Sequence, residues 1–229
     1  MTKPLFITGT DTNVGKTLIA AGLLVRYAQQ GFVTSAMKPV AAGCEAVGDE
    51  LRNLDAVILQ RLATLKFSYA QVNPVALSAA CAPHIAAQEE GRRLQLAKIE
   101  GYCRGLLINK ADVCIIEGAG GWRVPLNSRE SMSDLARGLG SPVLLVVGVR
   151  LGCLNHALLS AEAILRDGVR IAGWVANCVD PDMPYLEQNI ATLHAALPAP
   201  CLGVVPYRSD LSDSELIAMA SSKLVLPEL

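Results

Sequence analysis

Near its amino terminus the chain reads "GTDTNVGKT", residues Gly9 to Thr17. A glycine followed by lysine and threonine is the pattern of a loop that wraps phosphate. Gly15 lets the backbone approach an anion closely, and the N–H groups that open the next helix face it. Lys16 can reach the β- and γ-phosphates of a nucleotide, and the Thr17 hydroxyl can ligate Mg2+. The usual spacing is G-x-x-x-x-G-K-[ST]. Here five residues, Thr10 to Val14, separate Gly9 from Gly15, one more than that pattern holds.

Other residues extend this chemistry. "DVCIIEG" (112–118) ends an apolar run on Glu117. A carboxylate there could hold Mg2+ directly or through water. Gly118, Ala119 and Gly120 follow, adding backbone N–H groups and freedom at the same spot. Lys38, in "MKPVAAG", closes a second apolar run and is pinned by Pro39. It is placed to point into an anion site, although a lone lysine is as often a solvated charge. Asp55, in "RNLDAVILQ", lies among apolar helix positions, on a face that could equally be exposed. Lysines, a phosphate loop and strand-end acids suit phosphoryl transfer, which works by positioning and charge neutralisation.

Alternating elements would position these groups. Apolar runs at 5–9, 33–39, 112–118, 142–149, 170–179 and 201–206 read as strands. Helical patterns cover 16–30, 49–63, 95–109, 132–140, 155–168 and 185–197, and a last short helix starts near Ser212. Uninterrupted apolar strands alternating with helices imply a mostly parallel sheet covered on both faces, an α/β fold of the P-loop NTPase-like kind. No linker or repeat divides the chain, so residues 1–229 read as a single domain. In such sheets ligands bind beyond the carboxyl ends of the strands.

Composition narrows the classes. Of 229 residues, 52% are hydrophobic and 18% charged, enough for one large core and against disorder. The net charge of -1 and the lack of a basic block give nucleic acid no electrostatic hold. No apolar run approaches a membrane span of about 18 residues, and the opening run is too short for a signal peptide. Seven scattered cysteines without a C-x-x-C pair suit a reducing cytoplasm rather than disulfides or zinc. The three histidines lack metal-ligand spacing.

Together, "FITGTDTNVGKT", "KPVAAG", "LRNLDAVILQR", "VNP", "PHIAAQEEGR", "EGAGGW", "PVLLVVGVRLGCLNHALL", "GWVANCV" and "APCLGVVPY" resemble the dethiobiotin synthetase family. The resemblance fades after about residue 210, and the long loop spacing is itself the family's form. It implies a cytoplasmic, homodimeric ligase of biotin biosynthesis, acting on 7,8-diaminononanoate, CO2 (or bicarbonate) and ATP with Mg2+. An amine of the substrate becomes a carbamate, ATP converts it to a carbamic–phosphoric anhydride, and the second amine closes the ureido ring.

The same resemblance assigns roles. Thr17, Asp55 and Glu117 match the metal site, and Lys38, with Lys16, the catalytic lysines. Asn13, Val14, Gly15, Lys16 and Thr17 match the nucleotide loop, with Gly118 to Gly120 beside it. Thr12 matches a residue near the diamine. Asn177 and Cys178 match an adenine-reading turn after a strand, and Pro206, Tyr207 and Arg208 the loop that flanks it. Asp213 falls where the family often has glutamate. Gly152, Cys153, Leu154 and Asn155 match a loop that reaches the diamine's carboxylate from the other subunit. Asn155 also reads as an ordinary helix N-cap. Ala42 stands where the family often has a serine that bonds the substrate, so either a weaker substrate affinity, by about 1 kcal/mol, or a somewhat different amine-containing substrate is expected.

An alternative is an ATPase switch of the partition or septum-placement type. Such proteins carry a lysine five residues before the P-loop lysine, where this chain has Asp11. An amidotransferase synthetase of the cobyric-acid type would need a glutaminase domain, for which the chain is too short. A non-enzymatic nucleotide sensor also stays open.

Overall fold

The computed structural model describes residues 2–229. Six parallel strands form the central sheet: β1 (Lys3–Gly9), β2 (Thr34–Met37), β7 (Val113–Gly121), β8 (Val143–Val149), β9 (Ile171–Cys178) and β10 (Cys201–Val205). Their spatial order is β10-β9-β8-β1-β7-β2. Alternate side chains along each strand face opposite layers. Leu5, Ile7, Ile115 and Val146 pack against α1 (Lys16–Gln29), α2 (Leu54–Leu62) and α9 (Asp213–Lys223). Phe6, Ile116, Leu145 and Trp174 join the other layer with α5 (Leu96–Leu107), α6 (Met132–Gly138), α7 (Cys153–Arg166) and α8 (Leu186–Ala196). Burial on both faces explains why the strands are apolar throughout. Among the described residues, no helix is long and apolar enough to cross a membrane.

Several boundaries differ from the sequence expectation. The helix expected over 49–63 is shortened by a hairpin, β4 (Glu45–Val47) and β5 (Glu50–Arg52), which turns at Gly48 with φ 62. Asn53 then caps α2, its Oδ1 accepting from Ala56 N–H at 3.4 Å. The cap requires extended backbone at Asn53, so the helix cannot begin earlier. The segment behind α2 also holds structure: α3 (Tyr69–Val72), β6 (Val75–Ala76) and α4 (Pro83–Glu89). β6 pairs with β3 (Val40–Ala41) in a small parallel ladder at the edge of the site. These elements are too short for hydrophobic periodicity to reveal. α7 starts at Cys153, after Gly152 at φ 92, not at an Asn155 cap; Asn155 is its third residue. The last helix extends to Lys223 and opens on a capping box, Ser212 with Glu215.

α1 and α9 approach closely at Gly22. A Cβ there would lie 3.1 Å from Ser221 N and from a Leu224 methyl, and 3.2 Å from Ala220 Cβ. Two of these neighbours are backbone or a helix-fixed Cβ, so the contact cannot relax by a rotamer change. Gly22→Leu is expected to destabilise the protein by about 1–3 kcal/mol through overpacking, read as a lower urea midpoint.

Candidate functional site

The site gathers at the carboxyl ends of β1, β2 and β7, where all N-terminal strand partners point the same way. Between β1 and α1 the loop takes left-handed backbone at Asn13 (φ 58) and Gly15 (φ 86). Val14 anchors it. Its side chain is buried between two glycines whose own Cβ atoms would stand 2.6 Å (Gly9) and 2.7 Å (Gly148) from it. Asn177 Nδ2 donates to the Val14 carbonyl at 2.9 Å. Asp11 accepts from Thr12 N–H at 2.7 Å and pairs with Arg150 at 2.5 Å. The loop is therefore tied to β8, to β9 and to the turn behind β8.

Below the loop lies a charged cluster. Glu117 is fully buried on β7. Its Oε1 accepts from Thr17 Oγ1 at 2.9 Å and from Lys38 Nζ at 2.8 Å. Among the described residues its Oε2 has no partner. Lys38 Nζ also pairs with Asp55, whose side chain is 38% exposed. Burial alone pulls the Lys38 ammonium down, but Glu117 and Asp55 overcome this and hold it above its ordinary lysine value. Lys16 behaves oppositely. Burial lowers it, with Lys38 adding repulsion against the pull of Glu117. Its Nζ donates to the Asp11 carbonyl at 3.0 Å.

These groups line one cleft of about 970 Å3. It brings together Thr12, Asn13, Gly15, Lys16, Thr17, Lys38, Ala42, Asp55, Glu117, Ala119 and Gly120. Gly118 is buried just beneath it, its α-carbon side facing Phe6. The walls also include Gly43, Asn53, Ala80 to Ala82, Val124 and Pro125, which sequence reasoning missed, and Pro83, which opens the "PHIAAQEEGR" stretch of the family resemblance. Small neutral residues carry no chemical signal; only Asn53 offered one, as a helix cap ahead of an apolar run.

Other expected residues lie elsewhere. Asn177 and Cys178 are the last two residues of β9, both buried, rather than part of the turn behind it. Pro206, Tyr207 and Arg208 form an exposed segment after β10, where Arg208 grips Asp210 with bonds of 2.6 and 2.7 Å. Asp213 is the exposed first residue of α9. Gly152, Cys153, Leu154 and Asn155 open α7 and do not line the cleft.

Glu117 lies within β7, which continues to Gly121, rather than at the strand end the sequence suggested. A glycine loop with its lysine, set against a buried strand acid on a parallel sheet, defines a P-loop nucleotide-binding protein. A family model described as an AAA domain matches residues 3–215. The ATP-dependent dethiobiotin synthetase BioD of Pseudomonas paraeruginosa is 57% identical over 213 residues, 93% of each chain. That of Cellvibrio japonicus is 58% identical over 207 residues, 90% of each. The chain belongs to the ATP-dependent dethiobiotin synthetase family. In fold alone it is similar to the septum site-determining protein MinD of Pyrococcus horikoshii complexed with Mg-ADP, at TM-score 0.56 and 19% identity, covering 96% of this chain and 95% of that one. The MinC:MinD complex of Aquifex aeolicus gives 0.57 at 12% identity, over 95% and 86%.

Gly15 is the residue least open to change. An added Cβ would stand 2.1 Å from Asn177 Nδ2, in backbone that L side chains avoid. Gly15→Ala is expected to weaken ATP binding at least about tenfold, some 1.4 kcal/mol, measured by titration with a fluorescent nucleotide.

Proposed function

We propose that this protein closes the ureido ring of dethiobiotin from 7,8-diaminononanoate, CO2 and ATP, with Mg2+, as a cytoplasmic ligase of biotin biosynthesis. The observation that carries the reading is Lys38. It is a buried ammonium kept cationic by Glu117 and Asp55, beside the phosphate loop, in a cleft with room for a second small substrate.

One amine of the diamine attacks the carbon of CO2 and loses a proton, leaving a carbamate anion. A carbamate oxygen attacks the γ-phosphorus, and the bond to the bridging oxygen of ADP breaks. The second amine attacks the carbonyl of the resulting anhydride and loses its proton, and inorganic phosphate leaves. The difficulty is bringing two anions together. Lys16 and Lys38 place two positive charges where they meet, each worth about 4 kcal/mol at 4 Å and an effective dielectric near 20. Ring closure is intramolecular and needs only orientation, which accounts for a site without an activated Ser or Cys nucleophile.

The residues present fit Mg2+. Thr17, Asp55 and Glu117 offer only oxygen donors; Glu117 Oε1 bonds the Thr17 hydroxyl, and its buried Oε2 is unpartnered among the described residues. Two carboxylates and a hydroxyl suit a hard cation that shares its remaining positions with phosphates and water. Bound there, the ion would neutralise charge between the β- and γ-phosphate oxygens.

Asn13 to Thr17 would hold the phosphates, with Gly118 to Gly120 beneath. Asn177 and Cys178 would face the adenine, with Pro206 to Arg208 and Asp213 on its far side. Thr12 and Ala42 would face the diamine. The turn at Gly152 to Asn155 would serve a second subunit, taking the diamine's carboxylate on the N–H groups that open α7. Exposed Leu151 (84%) and Leu159 (56%) beside it support a homodimer. Seven free cysteines suit the cytoplasm, and no nucleic acid or membrane is assigned a part.

Release of ADP is expected only when both 7,8-diaminononanoate and bicarbonate are present. ATP turnover indifferent to either would overturn the reading. Lys38→Ala should still bind ATP but lose turnover by about 10^2–10^3-fold or more. Near-normal ring closure in that variant would remove Lys38 from the chemistry.

A further inference from the structure

One buried polar chain behind the cleft is not used by these steps. Tyr69 opens α3 and Asn73 closes it; both are buried, at 8% and 3% exposure. The Tyr69 hydroxyl accepts from Asn53 N–H at 2.7 Å and donates to Asn73 Oδ1 at 3.0 Å. Asn73 Nδ2 donates to the Lys38 carbonyl at 2.7 Å and more weakly to Val75 O at 3.4 Å. The Lys38 N–H donates to Val72 O at 2.9 Å. Both main-chain polar groups of Lys38 are thus held by residues 72 and 73.

The sheet does not hold Lys38 itself. β2 ends at Met37, and Pro39 has no N–H to continue a ladder. At the far end of the chain, Asn53 caps α2 two residues before Asp55. The path from the Lys38 carbonyl through Asn73, Tyr69 and Asn53 therefore returns to Lys38 across the Asp55 ion pair, closing a ring. Apart from Asp55, whose side chain is 38% exposed, the groups in it are buried or half-buried, so water cannot readily stand in for a lost partner among them.

We propose that Tyr69 and Asn73 are positioning residues for ring closure, fixing the Lys38 ammonium against the Asp55 carboxylate. Neither lines the cleft. They act by setting where two elements that carry charge begin: the strand end at Lys38 and the cap of α2. The proposal deepens the reading above and rests on Lys38 as the acting group.

Tyr69→Phe removes one hydroxyl. It keeps the ring against Ala56 and Val72, and under the Arg52 guanidinium, 5.1 Å from the ring centre. Turnover is expected to fall about tenfold or more, since small misplacements in a site are costly, with KM and Kd for ATP unchanged. Asn73→Ser, too short to reach the Lys38 carbonyl, should do the same. Val57→Ala, from the same apolar cluster but outside the ring, is the control for lost stability. It should lower Tm and keep kcat. In 15N-lysine protein the Lys38 Nζ resonance, identified by its loss in Lys38→Ala, should move in Tyr69→Phe and stay in Val57→Ala. Wild-type kcat in both ring variants, or a loss that Val57→Ala matches at equal Tm, overturns the proposal. So does failure of both ring variants to fold, which makes the pair structural. Absence of diamine-dependent ADP release from the wild-type protein would be the failure of the earlier reading, and the nitrogen resonance then still decides this one.

Discussion

A carboxylate with no exposed surface must be paired, and Glu117 is that carboxylate. Desolvating both members of a buried ion pair costs several kcal/mol per ion, so the pair with Lys38 is a poor way to gain stability. Removing one partner would be worse, about 3–5 kcal/mol. The fold therefore has to deliver the lysine, the threonine and the acid to one point from three separate elements. β7 carries Glu117, the segment after β2 carries Lys38, and the first turn of α1 carries Thr17. Parallel pairing of β1 and β2 with β7 brings all three to the same edge of the sheet. Antiparallel pairing of either neighbour would send its end to the opposite edge.

The phosphate loop answers to the same constraint. Its apolar plug is Val14, seated between Gly9 and Gly148. Ahead of the plug lie Asp11 and Thr12. Asp11 is held there by Arg150, which stands just ahead of the turn at Gly152. The solved structures with this fold include MinD proteins. The acidic residue at position 11, where a switch ATPase of that type is expected to carry lysine, pairs with Arg150 of the same chain.

Much of this was legible in the sequence. The glycine loop, the acid that closes an apolar run and the apolar strands are local signals, each carried by adjacent residues, although β7 continues past Glu117 to Gly121. Lys38 could be placed at a strand end, but its partners could not, since Glu117 and Asp55 lie 79 and 17 residues away. Asp55 looked equally able to face water; the hairpin of β4 and β5 and the Asn53 cap decide its direction. The elements between 64 and 94 stayed hidden because each buries too few side chains to show a period. They nonetheless close the cleft with Ala80 to Pro83 and supply the bonds to the Lys38 backbone. The apolar run at 170–179 already reads as a strand through Asn177, and pairing with β8 and β10 agrees; it is the family resemblance that puts Asn177 in a turn.

The two lysines divide the work according to their surroundings. Lys16 is lowered by burial and holds only a backbone carbonyl, so its ammonium gains most from an approaching anion. That is the condition of a phosphate binder: the nucleotide supplies the charge the protein withholds. Lys38 is raised because carboxylates already surround it, and an arriving anion must compete with them. Of the two, Asp55 is the weaker competitor, being 38% exposed and able to turn to water, whereas Glu117 has nowhere else to go. Lys38 is thus held more firmly by Glu117 than by Asp55.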